Sequence, residues 1–214
     1  MKIAIIGQGG HSKVIRDLIS FNQHDQIIAY LDDKITDFYQ RDNIYFGPIF
    51  YAEFLKNMFH DLKLFIAIGH NQTRKAIVNR LQFPAENYIT LIHKTAIVSP
   101  SSKIGHGSIL MAHSTVNADS LIGEHTIINT SSVVEHDSRV GDFVHISPNA
   151  TLTGSVQVED GVHIGAGATV IPNLTIGEWS VIGAGATVID SIPASSIAVG
   201  VPARVKNKHM TEGV

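Results

Sequence analysis

The chain has no cysteine, which excludes disulfides, thiolate metal sites and thiol nucleophiles together and fits a reducing compartment. Charge of one sign is also scarce: the formal net charge of -3 leaves no basic footprint for nucleic acid or anionic lipid. Long hydrophobic runs are missing, since no stretch approaches the roughly 18 apolar residues of a spanning helix. The opening MKIAIIGQGG has an apolar run too short for a signal sequence and no small-residue cleavage site. These absences predict a cytoplasmic protein whose partners are small molecules or other protein. With 44% hydrophobic and 16% charged residues, the composition is that of a globular chain rather than a disordered one.

What is present divides into two halves with different periods. Over residues 1–90, short apolar runs alternate with helical patterns. KIAIIG (2–7), QIIAYLDD (26–33) and KLFIAIG (63–69) read as strands. HSKVIRDLISF (11–21), with Val14, Ile15, Leu18 and Ile19 as its apolar face, YAEFLKNMF (51–59) and TRKAIVNRL (73–81) read as helices. YITLIH (88–93) leads into the second half. Strands alternating with helices predict a small parallel, Rossmann-like α/β sheet.

From Ile92 the period becomes six. Every sixth residue from Ile92 to Val188 is Ile, Leu or Val without a slip, a spacing that neither an amphipathic helix nor an alternating strand produces. Three hexapeptides close one triangular coil of 18 residues, so residues 91–214 are predicted to form a left-handed parallel β-helix. Its apolar positions stack in columns about 4.8 Å apart. Ile92, Leu110, Ile128, Ile146, Ile164 and Ile182 form one such column. Small residues recur four places after the apolar one, and glycine often follows it directly, as at Gly105, Gly123 and Gly165, where a tight corner favours a residue without Cβ.

The same register sorts the histidines. His136 lies two places after Val134, at a corner facing out of the prism, with Ala118 and Gly154 one coil below and above. A ligand site and a merely solvated histidine both fit that position. A neutral imidazole with a pKa near 6.5 is suited to proton transfer at neutral pH, and the adjacent Asp137 could fix its tautomer. His145 and His163 stand on an outer flat side, one coil apart. His145 could line a cleft or belong to a polar ladder with His163, for which the ladder is the simpler reading. Asn129 could serve a site or be a corner residue in left-handed conformation. Seven histidines in the repeats raise zinc as a possibility, yet no two are five apart, the spacing of the His-x4-His pair of β-helical zinc enzymes. No metal is expected.

At the N-terminus, Gly7, Gly9 and Gly10 follow a strand and open a helix, where backbone N–H groups can meet a pyrophosphate. Ser12 stands where the dinucleotide fingerprint has Gly or Ala, and Asp32 and Asp33 end the second strand at the place of a ribose-binding acid. An NAD-dependent enzyme is therefore one alternative. Only about 90 residues precede the repeats, half the usual dinucleotide fold.

IGAGAT at 164–169 and 182–187, NTSSVVEHDSRVGDFVHISPNATLTG at 129–154 and VGVPAR at 199–204 resemble the hexapeptide acyltransferases. More narrowly, GQGGHSKVI, LDD at 31–33, AIGHNQTR at 67–74 and LIHKTAIVSPSS at 91–102 are similar to the nucleotide-sugar acetyltransferases, over essentially the whole chain. The resemblance implies a homotrimer that transfers acetyl from acetyl-CoA to the 4-amino group of a UDP-4-amino-sugar for bacterial glycan synthesis. It implies His136 as general base, with Asp137 where many relatives have Glu, a shorter carboxylate. It places His11 near the sugar or phosphates, Asp32 and Asp33 near uridine, Gly69, His70 and Asn71 near the pyrophosphate, and Asn129 near the acceptor amine. His145 would contact acetyl-CoA, whose pantetheine would run past Gly154, Gly165, Ala166 and Ala184, with Arg204 and Lys206 near its phosphates. An O-acetyltransferase of the sialic acid type, and a non-catalytic nucleotide-sugar-binding scaffold, remain alternatives.

Overall fold

The computed structural model describes residues 1–22 and 24–206. They form two compact units, Met1–Leu91 and a second from Ile92 onward.

The first unit carries a five-stranded sheet in the order β3-β4-β2-β1-β5. The strands are β1 (Lys2–Ile6), β2 (Gln26–Leu31), β3 (Tyr39–Arg41), β4 (Ile44–Gly47) and β5 (Lys63–Ile66). β4, β2, β1 and β5 run parallel, whereas β3 is antiparallel to β4. Helices α1 (Gly10–Ser20), α2 (Tyr51–Met58) and α3 (Asn71–Leu81) complete the layers. Central strands buried on both faces explain why KIAII is a continuous apolar run rather than an alternation. On α1 the buried stripe is Ser12, Ile15, Leu18 and Ile19. Val14, expected in that stripe, is 48% exposed, because at about 100° per residue it lies beyond the Leu18 edge of the stripe, a full step from Ile15 at its middle.

The hairpin of β3 and β4 was absent from the expected elements. Its signal is Asp42-Asn43, both at positive φ (52° and 64°), flanked by the adjacent aromatic pairs Phe38-Tyr39 and Tyr45-Phe46. Two central residues at positive φ make the turn whose twist matches a two-stranded ribbon.

The second unit stacks short strands, two residues long up to Val188, into three sheets of six, five and eight strands, parallel throughout except for the last strand, Arg204–Lys206, which pairs antiparallel with Ile197–Val199. Paired residues are 18 apart, as in Val116 with Val134 and Ile128 with Ile146, so the coil length read from the repeats is the register of the β-helix. From Leu110 to Val188 every apolar position of the period is at most 4% exposed. The bottom end differs. Ile92 is 46% exposed and Val98 and Ile104 only partly buried, because the first coil has no coil beneath it.

Each turn from Gly107 to Gly185 places the third residue after the apolar one at positive φ, non-glycines such as Asp137 (58°), Phe143 (57°) and Trp179 (57°) included. In the Asn129 turn the left-handed residue is Ser131, so Asn129 does not occupy the left-handed position considered for it. The glycines directly after the apolar residue serve close approach instead: a Cβ on Gly123 would lie 2.5 Å from the carbonyl carbon of Gly141 in the next coil. Buried serines tie coils together, as Ser138 does by donating Oγ–H to the Thr153 carbonyl and accepting the Val156 N–H. No helix among the described residues is long and apolar enough to cross a membrane.

Candidate active site

A cavity of about 640 Å³ opens in the first unit beside the glycine loop and α1. Gly7 has φ +99°, and a Cβ there would lie 2.7 Å from Ile68, so this position needs glycine. Gly9 and Gly10 have open space where a Cβ would be, leaving their backbone free to approach a ligand. Ser12, the departure from the dinucleotide fingerprint, donates its hydroxyl to the Gly9 carbonyl at 2.7 Å and so holds the loop.

The cavity is lined by Gly9, Gly10, His11, Asp32, Asp33 and Gly69 among the expected residues. Both aspartates also do turn work. Asp32 accepts the Gln8 N–H through Oδ2 at 2.8 Å and the Lys34 N–H through Oδ1 at 3.0 Å. Asp33 accepts the Ile49 N–H through Oδ1 at 3.2 Å, and Arg80 donates to its Oδ2 at 2.8 Å. His70 and Asn71, expected at the pyrophosphate, are otherwise engaged. His70 Nδ1 caps α3 by accepting the Thr73 N–H at 3.3 Å. Asn71 is 7% exposed and accepts from the Arg74 guanidinium at 3.0 Å. His70 Nδ1 and Asn71 Oδ1 thus serve the first turn of the helix.

Arg74 went unnoticed in the sequence. Only 1% exposed, it donates to the carbonyls of Ile68 and Gly69 and so braces the cavity wall. Burial pulls its pKa down to about 9, which still leaves it cationic at neutral pH. Burial, reinforced by this cation, lowers His11 to about 4, so His11 enters the cavity as a neutral imidazole. Its Nε2 is buried and has no protein partner. The remaining cavity residues of α3, Thr73, Ala76, Ile77 and Arg80, share one helical face, a pattern that was available in TRKAIVNRL.

In the second unit, His136 Nδ1–H donates to Asp137 Oδ2 at 2.8 Å. Left-handed φ at Asp137 turns the carboxylate back toward its neighbour. The bond leaves Nε2 as the basic nitrogen. The imidazole lies over Gly154, where a Cβ would come within 2.8 Å of Cε1 and Nε2, so the space expected beside His136 is the seat of its ring. The hydrogen bond to Asp137 raises the His136 pKa above 6.5 against desolvation, the next largest effect, and the charges of Asp137 and Glu135 raise it further. As the general base that the resemblance implies, His136 would have to be deprotonated to act, so the acid limb of kcat/KM is expected to rise through a pKa above 6.5. In Asp137→Asn, which removes the charge, this limb should move to lower pH. An unmoved limb would detach Asp137 from the histidine.

Asn129 and His145 meet: Asn129 Nδ2 donates to His145 Nε2 at 3.0 Å, its Oδ1 being taken by the Thr130 N–H. The His145 and His163 rings stack 4.9 Å apart at 2°, and His163 Nε2 bonds Ser147 Oγ at 2.9 Å, so the polar ladder exists. Asn129 and His145 lie along the eight-stranded sheet and the turn after it, whereas His136 follows a strand of the six-stranded sheet. Gly165 is buried in its corner, where a Cβ would sit 2.5 Å from the Ala184 nitrogen; it serves coil stacking, not an open groove. Ala166 and Ala184 are exposed one coil apart. Arg204 is exposed, 3.8 Å from Asp190, and Lys206 is exposed beside it. Among the described residues no group of three or more His, Asp or Glu is arranged to hold a metal ion.

A family described as PglD N-terminal domain matches residues 2–81, and one described as bacterial transferase hexapeptide (six repeats) matches residues 155–190. Among solved structures, a mutant perosamine N-acetyltransferase from Caulobacter crescentus, in complex with CoA and GDP-perosamine, superposes with a TM-score of 0.87 at 35% identity. That likeness covers 97% of this chain and 98% of the other. The chain belongs to the hexapeptide-repeat nucleotide-sugar acetyltransferases. A second member of this family, the acetyltransferase domain of PglB from Neisseria gonorrhoeae in complex with acetyl coenzyme A, has a TM-score of 0.83 at 34% identity, over 96% of this chain and 98% of that one. The UDP-N-acetylbacillosamine N-acetyltransferase of Bacillus subtilis is 47% identical over 110 residues, so the match spans about half, 51%, of that curated relative and 51% of this chain.

Proposed function

We propose that this chain is an acetyl-CoA-dependent N-acetyltransferase that acetylates the 4-amino group of a UDP-4-amino-4,6-dideoxy-N-acetylhexosamine for glycan synthesis. The observation that carries the reading is the His136–Asp137 pair, with Nδ1 anchored and Nε2 basic, in a chain whose other unit holds a glycine-loop cavity. In the reaction the amine attacks the thioester carbonyl, the new C–N bond forms and the C–S bond breaks. His136 Nε2 takes the proton the amine must shed, and the CoA thiolate leaves. No covalent enzyme intermediate is needed. Gly9, Gly10 and His11 would receive the diphosphate and sugar; Ala166 and Ala184 would flank the pantetheine.

The reading includes a cytoplasmic homotrimer. It is supported by the exposed His136 and by the position of Asn129 and His145 on another edge of the same prism, which an adjacent copy would bring to it. The test is an acetyl-transfer assay offering UDP-4-amino-sugar and sialic acid side by side, on protein whose mass is measured by sedimentation. Acetylation of the amine by a trimer is expected. Acetylation of hydroxyl only, or nucleotide-sugar binding without acetyl-CoA binding, would replace the reading by the O-acetyltransferase or the scaffold, and a monomeric active enzyme would remove the trimer.

A further inference from the structure

The relatives divide on the nucleotide: one acts on a UDP-sugar and another was solved with a GDP-sugar. The base is therefore not decided by the fold, and the cavity rim of this chain has to be read for it. Guanine and uracil make opposite demands. Guanine presents N–H donors beside a single carbonyl on its pairing edge and is usually met by an unengaged carboxylate. Uracil presents two carbonyls and one N–H, and is met by donors.

The acidic groups of this cavity are already engaged. Each of the four carboxylate oxygens of Asp32 and Asp33 accepts a hydrogen bond from the protein, and the charge of Asp33 is met by Arg80 at 2.8 Å. The pair joins the end of β2 to the last turn of α3, 47 positions apart in sequence. Both partners are half exposed on the rim. Arg80 has five donors in a rigid fork, of which this contact uses one, and Lys34 adds another cationic donor to the lining. Ile49 and Ile77 supply apolar wall for a flat ring. The rim is rich in donors, the Asp33 carboxylate is neutralised and the Asp32 oxygens each hold a backbone N–H, so it suits a carbonyl edge better than the donors of guanine.

We infer that the Asp33–Arg80 pair selects uridine over guanosine: Arg80 neutralises the carboxylate that guanine would require and offers its remaining donors to the uracil carbonyls. The inference rests on the nucleotide-sugar reading of the cavity and adds to it a specificity-determining residue.

Calorimetric titration of the full chain with UDP and with GDP tests it. Leaving buried donors unpaired disfavours a ligand by an order of magnitude or more, so the wild type is expected to bind UDP at least about tenfold more tightly than GDP. In Arg80→Ala, UDP should weaken and GDP strengthen as Asp33 is released, closing the ratio by about tenfold. Arg80→Lys, which keeps the positive charge on Asp33, should retain most of the preference. A general loss of structure would weaken both nucleotides together, so the ratio separates selectivity from folding. An unchanged ratio in Arg80→Ala, or a wild type that prefers GDP, overturns the inference and leaves the nucleotide-sugar reading standing. A folded wild type that binds neither nucleotide overturns both.

Discussion

Replacing His136 by alanine is expected to lower acetyl transfer by about 10²–10⁴-fold, the usual worth of a positioned general base, while leaving the protein folded and its nucleotide binding intact. The rate falls because the amine loses its proton as the tetrahedral intermediate forms, and water is a poor substitute for an imidazole held in one tautomer by Asp137 at 2.8 Å. The fold survives because the ring is 60% exposed and covers only the glycine face of Gly154; no core contact goes with it. Nucleotide affinity survives because the cavity is built from first-unit residues alone. Turnover measured against UDP affinity and circular dichroism separates these effects. If turnover is unchanged, His136 is a solvated corner residue and the proton acceptor lies elsewhere.

The second large effect is on stability. Ile146→Ala is expected to destabilise the β-helix by about 2–5 kcal/mol, the range for deleting a buried branched side chain and leaving a cavity. Ile146 is fully buried, paired in register with Ile128 below and Ile164 above, and coils of fixed spacing cannot close over a gap. Ile92→Ala, at the same column of the repeat, is expected to lose less than about 1 kcal/mol, as exposed positions do, because Ile92 is 46% exposed at the uncovered first coil. Urea unfolding followed by the fluorescence of the single tryptophan, Trp179, reports on the right unit, since its ring packs over Gly161 one coil away in the β-helix. Equal losses at the two positions would show that the end coil is as well covered as the middle.

The contrast between those two isoleucines shows how far a repeat can be read. The six-residue period determined by itself the β-helix, its 18-residue register, its core columns and the outward corner of His136, because a solenoid contacts only its neighbouring coils and sequence spacing is therefore spatial spacing. It also brought His145 and His163 together. The first unit was legible where apolar runs were long, and the β3–β4 hairpin was passed over because short strands around Asp42-Asn43 carry little periodic signal.

Tertiary structure decided what depends on residues distant in sequence. That His70 and Asn71 serve the start of α3, that Arg74 lies buried against the Ile68 and Gly69 carbonyls, that burial, reinforced by Arg74, keeps His11 neutral, and that Arg80 reaches Asp33 are each set by how α3 packs beside the glycine loop. No spacing encodes such a contact. Within the prism, the period located Gly154 and Gly165 but could not say what fills the space each leaves. Packing between coils decided that: the His136 imidazole occupies one, and the backbone of the next coil occupies the other.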